Sequence, residues 1–285
     1  MWGRDHVPYT LRCGKRLLTI DRPLVMGIVN STPDSFYSES RTPESAGLER
    51  RIAGMLEAGV DIVDIGGCST RPGAATPDAD VEWQRVETAL KAARKAGGDD
   101  LVISLDTFRS EIAGRGVRDY GVSIINDISG GDMDERMFQT VADLDVAYVL
   151  MHTRGTPATM HTLTGYDDVV ADVLSDLLFK ADRLHDMGVA DIILDPGFGF
   201  AKTIDDNYRL LDGLENFART GMPVLAGLSR KSMIWKTLGA TPEDSLAGTI
   251  ALNMAALERG ASILRVHDVR EAVQSVELFL KMQRL

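Results

Sequence analysis

Eight short apolar runs, each with a polar or ionisable residue at or near its end, constrain this chain more than any other feature of its sequence. They are "VMGIVN" from 25, "VDIVDIG" from 60, "LVISLD" from 101 and "VSIIND" from 122, then "DVAYVLMH" from 145, "DIILD" from 191, "PVLAGLS" from 223 and "SILRVHD" from 262. Each is rich in β-branched residues and nearly continuous in hydrophobicity, as expected of strands covered on both faces of a parallel sheet.

Segments with helical periodicity lie between the runs. "PESAGLERRIAGMLEAG" opens with Pro43 and sets Leu48, Ile52, Met55 and Leu56 on one stripe. "YDDVVADVLSDLLFKADRLHDMG" does the same with Val169, Val170, Val173, Leu174, Leu177 and Leu178. Five such segments return to a strand through "EAGVD", "DYGVS", "DMGVA", "RTGMP" and "ERGAS", where glycine supplies a left-handed cap that stops a helix sharply. This alternation predicts an α/β fold, a single eight-stranded parallel β/α barrel. The competing arrangement is a doubly wound open sheet. It normally carries a glycine-rich fingerprint after its first strand, and Asn30-Ser31-Thr32-Pro33 is not one.

No Ser/Gly linker or low-complexity tract divides the 285 residues, so residues 1–285 read as one domain. Within it, residues 1–22 form an N-terminal segment in which "HVPYTLRCGKRLLTI" is expected to fold as a hairpin. Its turn falls at Cys13-Gly14-Lys15, and its place is before the barrel, at the N-terminal end. An apolar fraction of 44% with 26% charge suits a globular protein with a substantial core. No run approaches the roughly 18 apolar residues of a membrane span, and the first residues carry charge rather than a signal core. Cys13 and Cys68 are too few and too distant for a disulfide framework, so the expected compartment is the cytoplasm. The formal net charge of -11 argues against nonspecific nucleic-acid binding and leaves a small anionic ligand open.

In a closed barrel all eight strand ends meet at one rim, where such folds keep their chemistry. Here the ring would hold Asn30, Asp64, Asp106, Asn126-Asp127, His152, Asp195, Ser229-Arg230-Lys231 and His267-Asp268. A single polar strand end is usually a turn former or a helix cap, and Asp127 and Asp268 are placed in that class. The long loops opening at Asn30 and at "GGCSTRPGAATPDAD" are read as lids or substrate-ordering elements, a solvated surface loop being the alternative. "DPGFGFAKT" is not a phosphate loop, because Ala201 and Pro196 stand where glycines are needed. It is read as a loop carrying Phe200 beside the strand-end carboxylate Asp195. Arg265 and His267 share one strand face near Lys231, which makes a cationic patch in the usual phosphate corner. A core imidazole is the alternative for His267.

The segments "MGIVNSTPDSF", "DIGGCSTRPGA", "SLDTF", "INDISGG", "VLMHTRGTP", "DPGFGFAKT", "GLSRKS" and "LRVHDV" resemble, in order, the motifs of the dihydropteroate synthase family. That resemblance implies condensation of 6-hydroxymethyl-dihydropterin diphosphate with 4-aminobenzoate, with Mg²⁺ as cofactor and a homodimer as the assembly. It implies a pterin site of Asp106, Asn126, Met151, Asp195 and Lys231. The diphosphate falls to Asn30, Thr70, Arg265 and His267, with Asn30 also contacting the metal. The aminobenzoate pocket falls to Thr70, Arg71, Pro72, Phe200, Lys231 and Ser232. Asp106, Lys231, Arg71 and Asp34 carry the catalytic expectation, and Asp34 and Phe36 sit in the first long loop. The sequence departs from the family at Cys68, where Glu is common, at Ser31, where an aliphatic residue is frequent, and at Ala201, where Gly is frequent. The last is read as a mild change. A pterin-dependent methyltransferase and a catalytically silent pterin-binding paralogue are the competing readings.

Overall fold

The computed structural model describes residues 8–13, 16–31, 44–68 and 76–283. The expectations for Asp34, Phe36, Thr70, Arg71 and Pro72 lie outside these residues.

The eight apolar runs become eight parallel strands: β3 (Leu24–Asn30), β4 (Ile62–Gly66), β5 (Val102–Asp106), β6 (Ile124–Asp127), β7 (Ala147–Met151), β8 (Ile192–Asp195), β9 (Leu225–Ala226) and β10 (Ile263–Val266). Their order is β8-β7-β6-β5-β4-β3-β10-β9, and a bridge between Leu194 and Val224 joins the two outer strands, so the sheet closes on itself. Strands β4, β6, β7 and β8 are buried at every position, which explains why their runs lack polar alternation. A doubly wound sheet would leave β8 and β9 apart; the bridge excludes it.

Helices α1 (Glu44–Glu57), α2 (Ala79–Gly97), α3 (Ser110–Tyr120), α4 (Met137–Leu144) and α5 (Val169–Asp186) follow successive strands. After β8 come α6 (Ile204–Asp212) and the short α7 (Glu215–Ala218); after β9 come α8 (Ser232–Leu238) and α9 (Leu246–Glu258); α10 (Val269–Gln283) ends the described chain. Apart from α9, they turn apolar residues onto the barrel. Leu48 and Ile52 of α1 and Val173 and Leu177 of α5 are all fully buried. The five expected cap glycines, at 59, 121, 188, 221 and 260, all take positive φ, between 63° and 91°. Polar starts are local too: Asp78 caps α2, and Thr203 with Asp206 forms a reciprocal capping box on α6.

The N-terminal hairpin is present as β1 (Tyr9–Cys13) and β2 (Arg16–Ile20), antiparallel, with Cys13 opposite Arg16. It docks where the strands begin. The Arg12 N–H donates to Asp191, just before β8, and the Arg12 guanidinium pairs with Asp145, just before β7. Leu11 and Ile20 are buried, about 1.5–3 kcal/mol each, enough to make the hairpin part of the core. No helix among the described residues is long and apolar enough to cross a membrane.

Candidate active site

Strand parity sends Asp64, Asp106, Asn126, Asp195 and Arg265 to the inside of the barrel, because alternate residues of a strand share a face. They meet there. The Arg265 guanidinium donates from Nε to Asp64 Oδ2 at 2.7 Å and from Nη2 to Asp106 Oδ2 at 2.6 Å. Asn126 Nδ2 donates to the same Asp64 oxygen at 3.2 Å. Asp64 is fully buried, and its other oxygen, Oδ1, has no hydrogen-bond partner. Two carboxylates around one guanidinium leave this cluster short of a cation. Burial therefore raises the Asp106 pKa, and Asp64 and Asp195 add to it, against the opposing pull of Arg265. Burial opposes the charge of Arg265 as well, but Asp64 and Asp106 outweigh it and hold the guanidinium protonated.

The loop after β8 brings the second charged group. Asp195 accepts from the Gly197 N–H at 2.7 Å; burial raises its pKa, while Lys231 and that N–H resist. Lys231 comes from the loop after β9. Its ammonium bonds the Phe198 carbonyl and sits 4.9 Å from the Phe200 ring centroid. Burial draws its pKa down to about 8, with Asp195 holding it up. Gly199, at φ 80°, permits this approach: a Cβ there would stand 3.1 Å from Lys231 Cδ.

At the neighbouring corner, His267 Nδ1 lies 3.0 Å from Ser229 Oγ. The ring is exposed, so the core-imidazole alternative does not hold. Arg230, at φ 55°, reaches back to Asp268 with two bonds, 2.9 and 2.8 Å, and to the carbonyls of Pro242 and Glu243. That clamp fixes the loops bearing Lys231 and His267 to each other, and it is the use of Asp268. Asp127 is likewise structural. It is fully buried and accepts from Ser129, Gly131 and the Tyr148 hydroxyl.

Met151 forms a small apolar cluster with Phe108 and Ile128, and Phe200, Cys68 and Met133 pack against it. A flat, mostly apolar ligand has a wall here, beside polar groups on the barrel floor. Cys68 takes a packing role. Next to it the structure supplies a buried carboxylate from elsewhere: Glu82 of α2 pairs with Arg109, whose Nη1 lies 4.0 Å from Cys68 Sγ, and accepts from Thr107 Oγ1 at 2.7 Å. Ser31 also gains a use. Its Oγ donates to the Arg85 carbonyl at 3.0 Å, while the Arg85 guanidinium donates to Gly67, so one residue of α2 ties the roots of both long loops.

The structure thus gathers Asp106, Asn126, Met151, Asp195, Phe200, Lys231, Arg265 and His267 at one end of the barrel. Asn30, half-buried, ends β3 beside Gly66, and Ser232 opens α8 after Lys231. Sequence reading missed the roles of Asp64, Phe108, Ile128 and Glu82. Each stands in or beside a segment with recognisable polarity, but its partner comes from another β/α unit. One reading is corrected: Ala201 is not a mild change, because its φ of 49° is left-handed, a conformation glycine adopts without the Cβ penalty.

Among known families, the pterin-binding enzymes match residues 26–267. The dihydropteroate synthase of Escherichia coli K12 is 38% identical over 263 residues, 92% of each chain. A dihydropteroate synthase structure from Xanthomonas albilineans with 4-aminobenzoic acid superposes with a TM-score of 0.90 at 38% identity, covering 98% of this chain and 100% of that one. A second, in complex with 7,8-dihydropteroate, gives a TM-score of 0.86 at 36% identity, covering 97% and 100%.

Proposed function

This chain belongs to the pterin-binding enzyme family, and from that premise we propose that it is a transferase of folate synthesis. It joins 6-hydroxymethyl-7,8-dihydropterin diphosphate to 4-aminobenzoate, releasing pyrophosphate and 7,8-dihydropteroate. The observation that carries this reading is the pairing of two kinds of subsite in one mouth. Carboxylates and an amide (Asp106, Asn126, Asp195) stand within reach of cations (Lys231, Arg265), against an apolar wall.

The pterin's amino and ring N–H groups find acceptors in Asp195 and Asn126, with Met151 against the ring. As the C–O bond to the diphosphate breaks, its electron pair leaves with oxygen and the methylene becomes cationic. Asp106, close by and unable to be fully neutralised by one shared guanidinium, stabilises that charge. Arg265 and His267 receive the departing anion, with Asn30 at the rim, while Lys231 stays against the pterin and the aminobenzoate. The aniline nitrogen then forms the C–N bond and releases its proton, with Phe200 and Ser232 bordering its pocket. Arg71, Thr70, Pro72 and Asp34 complete the reading from the two long loops.

Mg²⁺ fits as an ion held mainly by substrate. No cluster of three or more acidic, His or Cys ligands occurs among the described residues, and the Asn30 amide oxygen at the rim is a suitable hard donor. When bound, the ion would neutralise diphosphate charge. A homodimer is supported by α9, whose only charged residue is Glu258 and whose Ala247 and Ala251 face outward while Ile250 and Met254 are half-exposed. Free thiols at Cys13 and Cys68 accord with the cytoplasm.

Purified protein given Mg²⁺, the pterin diphosphate and 4-aminobenzoate should form dihydropteroate and pyrophosphate in equal amounts. Pterin binding without product would instead mark a silent paralogue. Sedimentation should give a dimer that Ala251→Glu dissociates.

A further inference from the structure

One buried cation has no place in the chemistry just described. Lys202 follows Ala201 in the loop after β8, only 9% exposed, and its ammonium points inward under the loop. It donates to the carbonyls of Gly197 and Phe200, both at 3.0 Å, and lies 3.1 Å from His152 Nδ1 and 3.5 Å from the His152 carbonyl. None of these partners is a carboxylate. A buried ammonium bonded to main-chain oxygens and a neutral imidazole is costly unless the geometry it imposes is useful.

The backbone it holds does not rest in an ordinary conformation. Gly197, Gly199 and Ala201 all take positive φ, at 73°, 80° and 49°. Gly197 comes so near β7 that a Cβ would fall 2.0 Å from the His152 carbonyl oxygen. Each residue that Lys202 grips on the outer side is a partner of a site group on the inner side. The Gly197 N–H bonds Asp195 Oδ1, and the Phe200 ring faces the Lys231 ammonium.

We propose that Lys202 is a positioning residue: its ammonium pins the carbonyls of Gly197, Phe200 and His152 and so aims Asp195 and Phe200 into the mouth. Burial lowers the Lys202 pKa to about 7 while Asp195 holds it up, so below that pH its charge also reaches Asp195 directly, as one of the cations that favour the ionised form. The groups facing the ammonium are His152, Asp195, Lys231, Arg154 and Asp206. His152 stays neutral there, its pKa lowered to about 2 by burial and then by Lys202, and in the tautomer protonated at Nε2 its Nδ1 accepts from the ammonium.

The consequence for catalysis rests on the proposed function; the loop geometry does not. Lys202→Met keeps the length of the stem and removes all donors. In ligand-free protein the Gly199 and Phe200 amides, bonded to Asn207 Oδ1 and the Gly197 carbonyl, should then exchange at least tenfold faster. Binding of a pterin analogue should weaken at least tenfold, KM for 4-aminobenzoate should rise similarly, and the acid limb of kcat/KM should move to higher pH. Lys202→Gln, which restores a donor without charge, should recover the exchange protection but not the pH profile. Leu90→Ala in the buried face of α2, which follows β4 four strands from β8, serves as a control that lowers stability away from the loop, and it should leave both Michaelis constants unchanged. Wild-type exchange in Lys202→Met overturns the proposal, and so does faster exchange with unaltered analogue binding. If the wild-type enzyme shows no turnover, the functional reading fails, and exchange with analogue binding still decides the role of Lys202.

Discussion

Asp61 and Asp64 stand three residues apart at opposite depths of the same barrel, and the chain treats them in opposite ways. Asp61, before β4, meets Arg22 through both oxygens, at 2.6 and 3.1 Å, and accepts the Val25 N–H at 2.8 Å. Both oxygens are bonded, and the partners lie just before and at the start of β3. Asp64 gathers Arg265 and Asn126 on one oxygen and leaves the other bare. The lower end of the barrel uses carboxylates as staples. The upper end leaves Asp64 incompletely satisfied, which lowers stability and leaves charge ready for a ligand.

The sharpest way to break that comparison is to exchange the two losses. Asp64→Ala should lower kcat/KM at least a hundredfold, about 2.7 kcal/mol of transition-state stabilisation, with little change in unfolding. Asp61→Ala should do the reverse, costing about 2 kcal/mol of stability with kcat/KM within twofold. Similar kinetic losses in both would dissolve the distinction. Next in size, Asp195→Ala or Lys231→Ala should lower kcat/KM at least tenfold, about 1.4 kcal/mol, measured at saturating partner substrate. Near wild-type rates in either would remove it from the site.

A pH series sharpens the contrast without kinetics. Burial, reinforced by Asp64, Asp127 and Asp195 and opposed by Arg265, pushes the Asp106 pKa up to about 7. Between about pH 4 and 7 the folded, ligand-free protein therefore holds a proton that the unfolded chain has lost, and its stability falls as pH rises. Asp106→Asn cannot lose that proton. Its unfolding free energy relative to wild type should climb across this window and level off above it; a level difference throughout would mean that Arg265 compensates the carboxylate fully. The smallest effect concerns backbone alone. Ala201→Gly should stabilise the protein by about 1 kcal/mol in chemical denaturation, because the left-handed position then carries no Cβ.

Much of this was legible in the chain. The eight strands, the five cap glycines and the hairpin follow from local patterns, since burial on both faces and left-handed turns leave marks within a few residues. Parity within "SILRVHD" told that Arg265 and His267 share a face, but not that the guanidinium would span the lumen to Asp64 and Asp106. Which residues face one another across a closed barrel depends on tilt and stagger, which a single strand does not encode. The same holds for Glu82 and Lys202. Both look like ordinary charged residues on a helix or in a loop until a partner from another β/α unit is found beside them in the interior. At Ala201 the side chain gives no sign of the handedness of its backbone.

The joint between β8 and β9 is the thinnest place in the wall, a single bridge from Leu194 to Val224 backed by the Leu194 N–H on the Pro223 carbonyl. Asp195 lies on one side of it and Lys231 on the other, and the Lys231 bond to Phe198 spans the gap like a clasp. Parting that seam would separate an acid from its base while nearly all the remaining secondary structure survived. Heating or denaturant should therefore extinguish catalysis before the helices report any change.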